Sequence, residues 1–294
     1  MTVAGLFFLT VIGLSQRDFS TVEIKETLVK DNFYMLEGSG GNILIYVGPT
    51  EVLMIDSQFA PLSDKIKTKI DQLSGGKPIT YLINTHHHGD HTGGNGNFSE
   101  QAMIIAHKNV KQRLSTDQHS KAFNKTTKAK DPSFWPKLIY AFQMELTFED
   151  KEVMLIHLPY AHTDGDSGVL FLKENVLHLG DTFFKDRFPY IDLGSGGTID
   201  GLINGLAIAS LYVDKETKII PGHGKLATKQ DLDNYHLMLK TMKGRVVEAI
   251  ANGKSLEEIK ASGMDKGYEE WGTGFINAEK FMDTIWTDLN REEG

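Results

Sequence analysis

Apolar and polar positions alternate in short runs from Thr21 to Ser57: TVEIKETLV, NFYMLEG, GNILIYVG and EVLMIDS, with Gly-rich or Pro-containing breaks between them. Alternation with period two puts one face of each run on a core, so the segment predicts consecutive antiparallel strands. The period then changes. Ile66, Ile70 and Leu73 fall at helical spacing within Leu62 to Leu73, the run ends at Ser74-Gly75-Gly76, and the β-rich stretch Tyr81-Leu82-Ile83-Asn84-Thr85 follows. A helix between strands implies a mixed α/β sheet and not a barrel of strands alone.

Gln112 to Pro136 is polar and Lys-rich, carries Pro132 and Pro136, and reads as a long surface insertion of the kind that often covers an active site. Four β-like runs come next: Tyr140 to Phe148, Glu152 to Leu158, Gly168 to Leu172 and Asn175 to Leu179. Each block of strands is followed by helical sequence, Leu62 to Leu73 and then roughly Ile199 to Tyr212. This predicts two sheets packed face to face with helices outside, a four-layer αββα sandwich. Thr228 to Gly253 is an amphipathic helix with Leu232, Tyr235, Leu237, Leu239, Met242 and Val246 among its apolar positions, and Leu256 to Ala261 and Ala278 to Leu289 are shorter helical pieces. The expectation is one domain over residues 19–227 with a helical extension, residues 228–294, packed on the same core.

Composition narrows the function classes. With 294 residues and 40% apolar content the chain can bury a large core, and its formal net charge of -8 is spread over both signs, which leaves no basic face for a phosphate backbone. Nucleic acid is therefore excluded as an expected partner; a small-molecule substrate is expected, and a homo-oligomer is compatible with this composition. There is no cysteine, so any bound metal is held by nitrogen and oxygen. The apolar run Met1 to Leu14, followed by Ser15, Gln16 and Arg17, reads as a signal-like segment over residues 1–18, giving a periplasmic or secreted protein, or a cytoplasmic one if the start is misassigned. The run is too short to span a bilayer, and no later stretch is apolar enough for a membrane helix.

The chemistry concentrates in Asn84-Thr85-His86-His87-His88-Gly89-Asp90-His91-Thr92-Gly93-Gly94-Asn95. Histidines at i, i+2 and i+5 with Asp at i+4 converge only if the chain turns sharply, which Gly89, Gly93 and Gly94 permit. Neutral imidazole and carboxylate are good ligands for zinc and similar ions. Downstream, His162 follows the strand ending at Leu158, Asp181 follows the strand carrying His178, and His223 ends a third strand at Ile220-Pro221-Gly222-His223. Side chains leaving the same edge of a two-sheet core can enter one cleft. His87 should point to the opposite side, His178 should face away or support a ligand, and His107, His119, His157 and His236 read as packing or surface residues.

These seven positions, His86, His88, Asp90, His91, His162, Asp181 and His223, resemble the metallo-β-lactamase superfamily, whose HxHxDH signature and later elements occur here in the family's order over roughly Val22 to Leu226. The resemblance implies that His86, His88 and His162 hold one metal, that Asp90, His91 and His223 hold a second, and that Asp181 bridges them. It implies two divalent ions, with zinc expected and iron or manganese as alternatives. Two such ions acidify a shared water and polarise a substrate carbonyl, and Asp90 would orient the hydroxide and relay its proton.

Asp181 separates branches of this family. Familiar zinc β-lactamases lack a bridging Asp there, many having Cys, and the chain is more similar to the glyoxalase II and lactonase branches. THHHGDHTGGN and Gly180-Asp181-Thr182-Phe183-Phe184 are glyoxalase II-like, whereas Thr228 to Leu289 does not resemble that family's basic glutathione-binding helices. The expected reaction is metal-dependent hydrolysis of an ester, lactone, thioester or β-lactam amide, with dedicated or promiscuous β-lactamase activity as one alternative and an iron-dependent oxygen or sulfur oxidoreductase as another. Lys185, Arg187 and Tyr190, just after Asp181, are candidate contacts for a substrate carboxylate, and Phe134 and Trp135 are candidates for a lid.

Overall fold

The computed structural model describes residues 18–120 and 124–291, so the signal-like run Met1 to Leu14 lies outside the described residues. Strands β1 (Lys25–Lys30), β2 (Phe33–Glu37), β3 (Ile43–Val47) and β4 (Val52–Ile55) pair antiparallel in sequence order, as the alternation predicts. Helix α1 (Ser63–Ser74) then stops at Gly75, whose φ of 71° is the left-handed conformation that glycine adopts without steric cost. It returns the chain to β5 (Ile79–Ile83), parallel to β4. Two single turns, α2 (Gly89–Thr92) and α3 (Asn95–Phe98), lead into β6 (Met103–His107) and α4 (Lys108–Ser115), neither of which the sequence reading had assigned.

The polar stretch from Gln112 to Pro136 contains the end of α4, a small hairpin β7 (Gln118–Ser120) and β8 (Lys125–Thr127), and a tight turn at Pro132–Phe134. The run read as one strand, Tyr140 to Phe148, divides. Its start belongs to β9 (Leu138–Tyr140), the edge of the first sheet, and the rest is β10 (Gln143–Phe148), the edge of the second. The chain changes sheets at Ala141-Phe142, which hydrophobic periodicity cannot register because both halves are equally β-like. The second sheet continues through β11 (Lys151–His157), β12 (Ser167–Phe171), β13 (Val176–Phe184) and β14 (Lys218–His223), antiparallel except for the last pair. Helix α5 (Ile199–Ser210) connects β13 to β14, and α6 (Lys229–Ala251), α7 (Leu256–Lys260) and α8 (Ala278–Leu289) complete the chain.

Strand alternation distributes the core over three interfaces. In β3, Leu44 and Tyr46 face the second sheet while Ile43, Ile45 and Val47 face α1. In β11, Val153 and Leu155 face the first sheet while Met154 and Ile156 face the outer helices. Both sheets are therefore covered on both sides, and the order helix, sheet, sheet, helix is the four-layer arrangement expected from the sequence. Each fully buried side chain of this kind contributes roughly 1.5–3 kcal/mol of transfer free energy. On the outer face, Leu232, Tyr235, Leu239, Met242 and Val246 of α6 pack with Leu177, Leu179 and Phe183 of β13, and Phe281 and Ile285 of α8 join the same cluster. Leu237, grouped with those apolar positions in the sequence, instead faces outward and is 59% exposed. Among the described residues no helix is long and apolar enough to cross a membrane.

Candidate metal centre

Four chain segments deliver the site. His86 and His88 lie in the turn after β5 and Asp90 and His91 in the short helix α2, which Gly93 ends by approaching the backbone of Gly89, Gln58 and Phe59 too closely for any side chain. His162 lies in the connection after β11, and His223 is the last residue of β14. Asp181 differs from the sequence expectation: it lies inside β13, which runs on to Phe184, and not past its end. A bulge at Gly180, with φ 51°, directs it into the cleft. His178 holds this bulge. Its Nδ1 accepts from Gly180 N at 3.0 Å and its Nε2 donates to Asn42 O at 3.1 Å, so the histidine expected either to face away or to support a ligand acts through the backbone.

Beside a cluster of His87, His88 and Asp192, the expected ligand atoms meet in two groups, His86, His88, His162 and Asp181, and Asp90, His91 and His223. Asp181 touches both. Its Oδ2 lies 3.8 Å from His86 Nε2 and 3.5 Å from His162 Nε2, while its Oδ1 lies 3.1 Å from His91 Nε2 and 3.4 Å from His223 Nε2. Asp90 Oδ2 is 3.3 Å from His223 Nε2.

The far nitrogens of four rings are bonded away from the cluster. His86 Nδ1 donates to Thr85 Oγ1 (3.1 Å), His91 Nδ1 to Asp56 Oδ2 (2.7 Å), His162 Nδ1 to Tyr190 O (2.7 Å) and His88 Nε2 to Asp192 Oδ2 (3.0 Å). In a neutral ring the proton spent on such a bond leaves the other nitrogen as a lone pair. The inward nitrogens therefore converge, with His88 Nδ1 at 3.2 Å from His86 Nε2 and 2.8 Å from His162 Nε2. Carboxylates or carbonyls behind imidazoles are the arrangement that orients metal-binding histidines.

Charge points the same way. Burial holds the His86 ring well below the usual imidazole range and His162 at about 4, so both are neutral at neutral pH. Burial is the largest single influence on His91 and His223 and would lower both, but the neighbouring carboxylates together overcome it, Asp181 with Asp56 and Asp90 raising His91 well above its ordinary value and Asp181 with Asp90 raising His223 to about 9. Asp181 is itself held low despite burial, by His223 and His91. Asp56, Asp90 and Asp181 thus bring a surplus of negative charge to the second group. His91 Nε2 and Asp181 Oδ1 are buried and lack a hydrogen bond. Lone pairs, uncompensated carboxylates and nitrogen and oxygen donors within 4.8 Å fit divalent cations.

The cluster opens into a cavity of about 1120 Å³ lined by Asp90, Asp181 and His223 at its floor. The insertion supplies Arg113, Gln118, His119, Lys128 and Phe134 to its wall, so the stretch assigned to the surface covers the site. Trp135 is absent from that wall; its Nε1 donates to Lys130 O at 3.0 Å. Arg187 and Tyr190 line the cavity. Lys185 does not: its Nζ bonds to Leu226 O (3.2 Å) and Asp231 Oδ2 (3.1 Å), which ties β13 to the start of α6. His87, expected to turn away, is buried yet lines the cavity, with Nε2 3.5 Å from Ser195 Oγ. Among the remaining histidines, His107 and His157 stack with ring centroids 3.7 Å apart.

Sequence reasoning missed Asp56 and Asp192. Asp56 follows β4 with φ 63° and also accepts from Thr85 N at 2.8 Å; an Asp just past a strand, in EVLMIDS, is the available signal. Asp192 had none, since it lies 104 residues from the histidine it binds.

A hydroxyacylglutathione hydrolase from Pelagibacter ubique is 27% identical over 225 residues, covering 72% of this chain and 77% of its own. Among solved structures, a metallo-beta-lactamase from Pontibacter korlensis superposes with TM-score 0.62 at 14% identity, over 74% of this chain and 99% of its own. A stereoselective inverting sec-alkylsulfatase from a Pseudomonas species superposes with TM-score 0.67 at 14% identity, over 90% of this chain but 50% of its own. At such identities the structural likeness concerns the fold. A sequence profile of the metallo-beta-lactamase superfamily matches residues 31–223, a span that contains every residue of the two ligand groups, and the chain belongs to that superfamily.

Proposed function

We propose that the chain is a dinuclear metal-dependent hydrolase, with zinc as its ion, that cleaves an ester, lactone, thioester or β-lactam amide. The observation that carries this reading is the division of Asp181, one carboxylate oxygen toward His86 and His162 and the other toward His91 and His223. In it, His86, His88 and His162 hold one ion, Asp90, His91 and His223 the other, and Asp181 contributes to both. When bound, two divalent cations lower the pKa of a water and polarise a carbonyl.

The protein's own groups do the rest. Asp90, at the cavity floor, has His91 and His223 beside it, which keep its carboxylate ionised against the effect of burial. It is placed to accept a proton at Oδ2 and return it to a leaving group. Thr85, Asp56, Asp192 and the Tyr190 carbonyl fix the rings so that binding costs little reorganisation. The 27% identical hydroxyacylglutathione hydrolase supports keeping thioesters among the candidate substrates.

Metal analysis of the purified protein, coupled to hydrolysis assays on a β-lactam, a lactone and a thioester, tests this directly. The reading expects about two equivalents of zinc per chain and turnover of at least one substrate. Asp90→Asn should lower kcat by roughly 10²–10⁴-fold and weaken binding of the ion held with His91 and His223. Unchanged turnover in Asp90→Asn or His162→Ala, or full turnover in metal-stripped protein, overturns it.

A further inference from the structure

A third set of ligand-type atoms lies beside the two groups already described. One atom each from His87, His88 and Asp192 fall within 4.8 Å of one another, the same spread that encloses either expected group. All three residues line the cavity, so an ion can reach them from solvent. His87 belongs to neither expected group, and the hydrolytic reading gives it no part.

His87 is under-bonded at both ring nitrogens. Among the described residues its buried Nδ1 has no hydrogen-bond partner, and its Nε2 has the Ser195 hydroxyl at 3.5 Å, the outer limit of such a contact. A buried polar atom left without a partner costs about 1–3 kcal/mol, and a ligand that takes its lone pair removes that cost. The carboxylate opposite is fixed in place. Asp192 N donates to His162 O at 2.9 Å and Ser195 N to Asp192 Oδ1 at 3.2 Å, while Asp192 Oδ2 is 3.0 Å from His88 Nε2. The His87 and His88 ring centroids are 4.6 Å apart. Arg113 lines the same cavity, but its guanidinium is paired with Asp164 at 2.8 Å and adds no uncompensated positive charge.

We propose that His87, His88 Nε2 and Asp192 form a third divalent-cation site on the cavity wall, and that filling it slows turnover. The ligand is a borderline ion such as zinc, for which two imidazoles and a carboxylate are suitable donors. Tetrahedral donors about 2.1 Å from such an ion stand roughly 3.4 Å apart, so the 3.0 Å bond between His88 and Asp192 has little distance to open. When the ion enters, that bond breaks, the His88 Nε2 proton leaves to solvent, and the ring is left as an imidazolate with Nε2 on the third ion. Asp192 then no longer orients His88, which is why turnover slows. The slowing rests on the hydrolase reading; the ligation does not.

Zinc uptake by the full chain, measured by equilibrium dialysis over a range of buffered free zinc, tests the site. Wild type should take up about two equivalents tightly and about one more at higher free zinc, releasing about one proton with the last. His87→Gln, with native circular dichroism, should keep the first two and lose the last. Saturation of wild type at two equivalents overturns the inference, as does a third equivalent retained in His87→Gln. Should that variant fail to fold, nuclear magnetic resonance of cadmium-loaded wild type decides: a third cadmium signal coupled to two imidazoles is expected, and its absence overturns the site.

Turnover supplies the second arm. Raising free zinc from the level that fills two sites to the level that fills three should slow wild type several-fold and leave His87→Gln at its own starting rate. Equal slowing of both proteins overturns the inference. Steady turnover with only two equivalents bound at any free zinc sinks the third site and leaves the hydrolase reading standing. A His87-dependent third equivalent in a protein that hydrolyses no substrate with its first two ions in place does the reverse.

Discussion

Asp192 Oδ2 lies 3.0 Å from His88 Nε2, on the edge of the ring opposite the nitrogen that faces His86 and His162. The carboxylate therefore decides which nitrogen of His88 carries the proton. It does so from a segment that also receives the His162 bond at Tyr190 O, so one stretch of chain orients two rings of the first group. Asp192→Asn should keep the fold and weaken zinc binding by about 10–100-fold, as other losses of a ligand's hydrogen-bond partner do. Competition with a chromophoric chelator measures it, and an unaltered affinity would show that packing alone orients His88.

Gly222 packs against Asp181. A Cβ there would collide with Asp181 Oδ1 and the Gly180 backbone, and neither can retreat without moving the bulge. Gly222→Ala should consequently reduce bound metal at both groups, with activity falling more than about tenfold from a displacement of the order of an ångström. Metal stoichiometry and near-ultraviolet dichroism together distinguish a displaced Asp181 from a general loss of packing.

His107 and His157 give a stability prediction away from the ligands. Burial lowers His107 to about 4 and lowers His157 in the same direction, and their stacked rings disfavour a second charge. The folded state then refuses protons that the unfolded chain accepts below its pKa of about 6.5. Stability present above that value is lost as pH falls toward 4. His107→Asn, which can still cap α4 as the His107 side chain does through Asn109 N, should flatten this acid limb in urea titrations at pH 7.5, 5.5 and 4.5 relative to wild type. An identical pH dependence in the two proteins would count against the pair.

Lys185 lies four residues after Asp181 in sequence yet bonds to Asp231, which also closes the capping box of α6. Lys185→Ala should cost about 0–1 kcal/mol in stability, the range of partly exposed ion pairs, and leave KM unchanged. A raised KM would return Lys185 to the substrate site.

Local chemistry made much of this legible. Alternation from Thr21 to Ser57 predicts the antiparallel run β1 to β4 because period two has a single geometric reading in a half-buried chain. The helices α1, α5, α6 and α8 follow from their apolar spacing and terminal signals. His86, His88, Asp90 and His91 lie within one glycine-rich turn, so their convergence was implicit in spacing. Met103 to His107 gives no period to read because it is short and uniformly apolar, and Tyr140 to Phe148 reads as one strand because sheet membership leaves no local mark.

The sequence by itself determined the layered class of the fold, the types of ligand atom and the exclusion of thiolate chemistry, all of which depend on residue identity and near-neighbour spacing. Only the tertiary structure decided how Asp181 divides its oxygens, that Asp56 and Asp192 set the rings, that Lys185 leaves the cavity while Arg187 enters it, and that the polar insertion forms its wall. The reason is physical. These relations join residues from distant parts of the chain, and their distances are fixed by how two sheets and their connections pack, which no local pattern encodes.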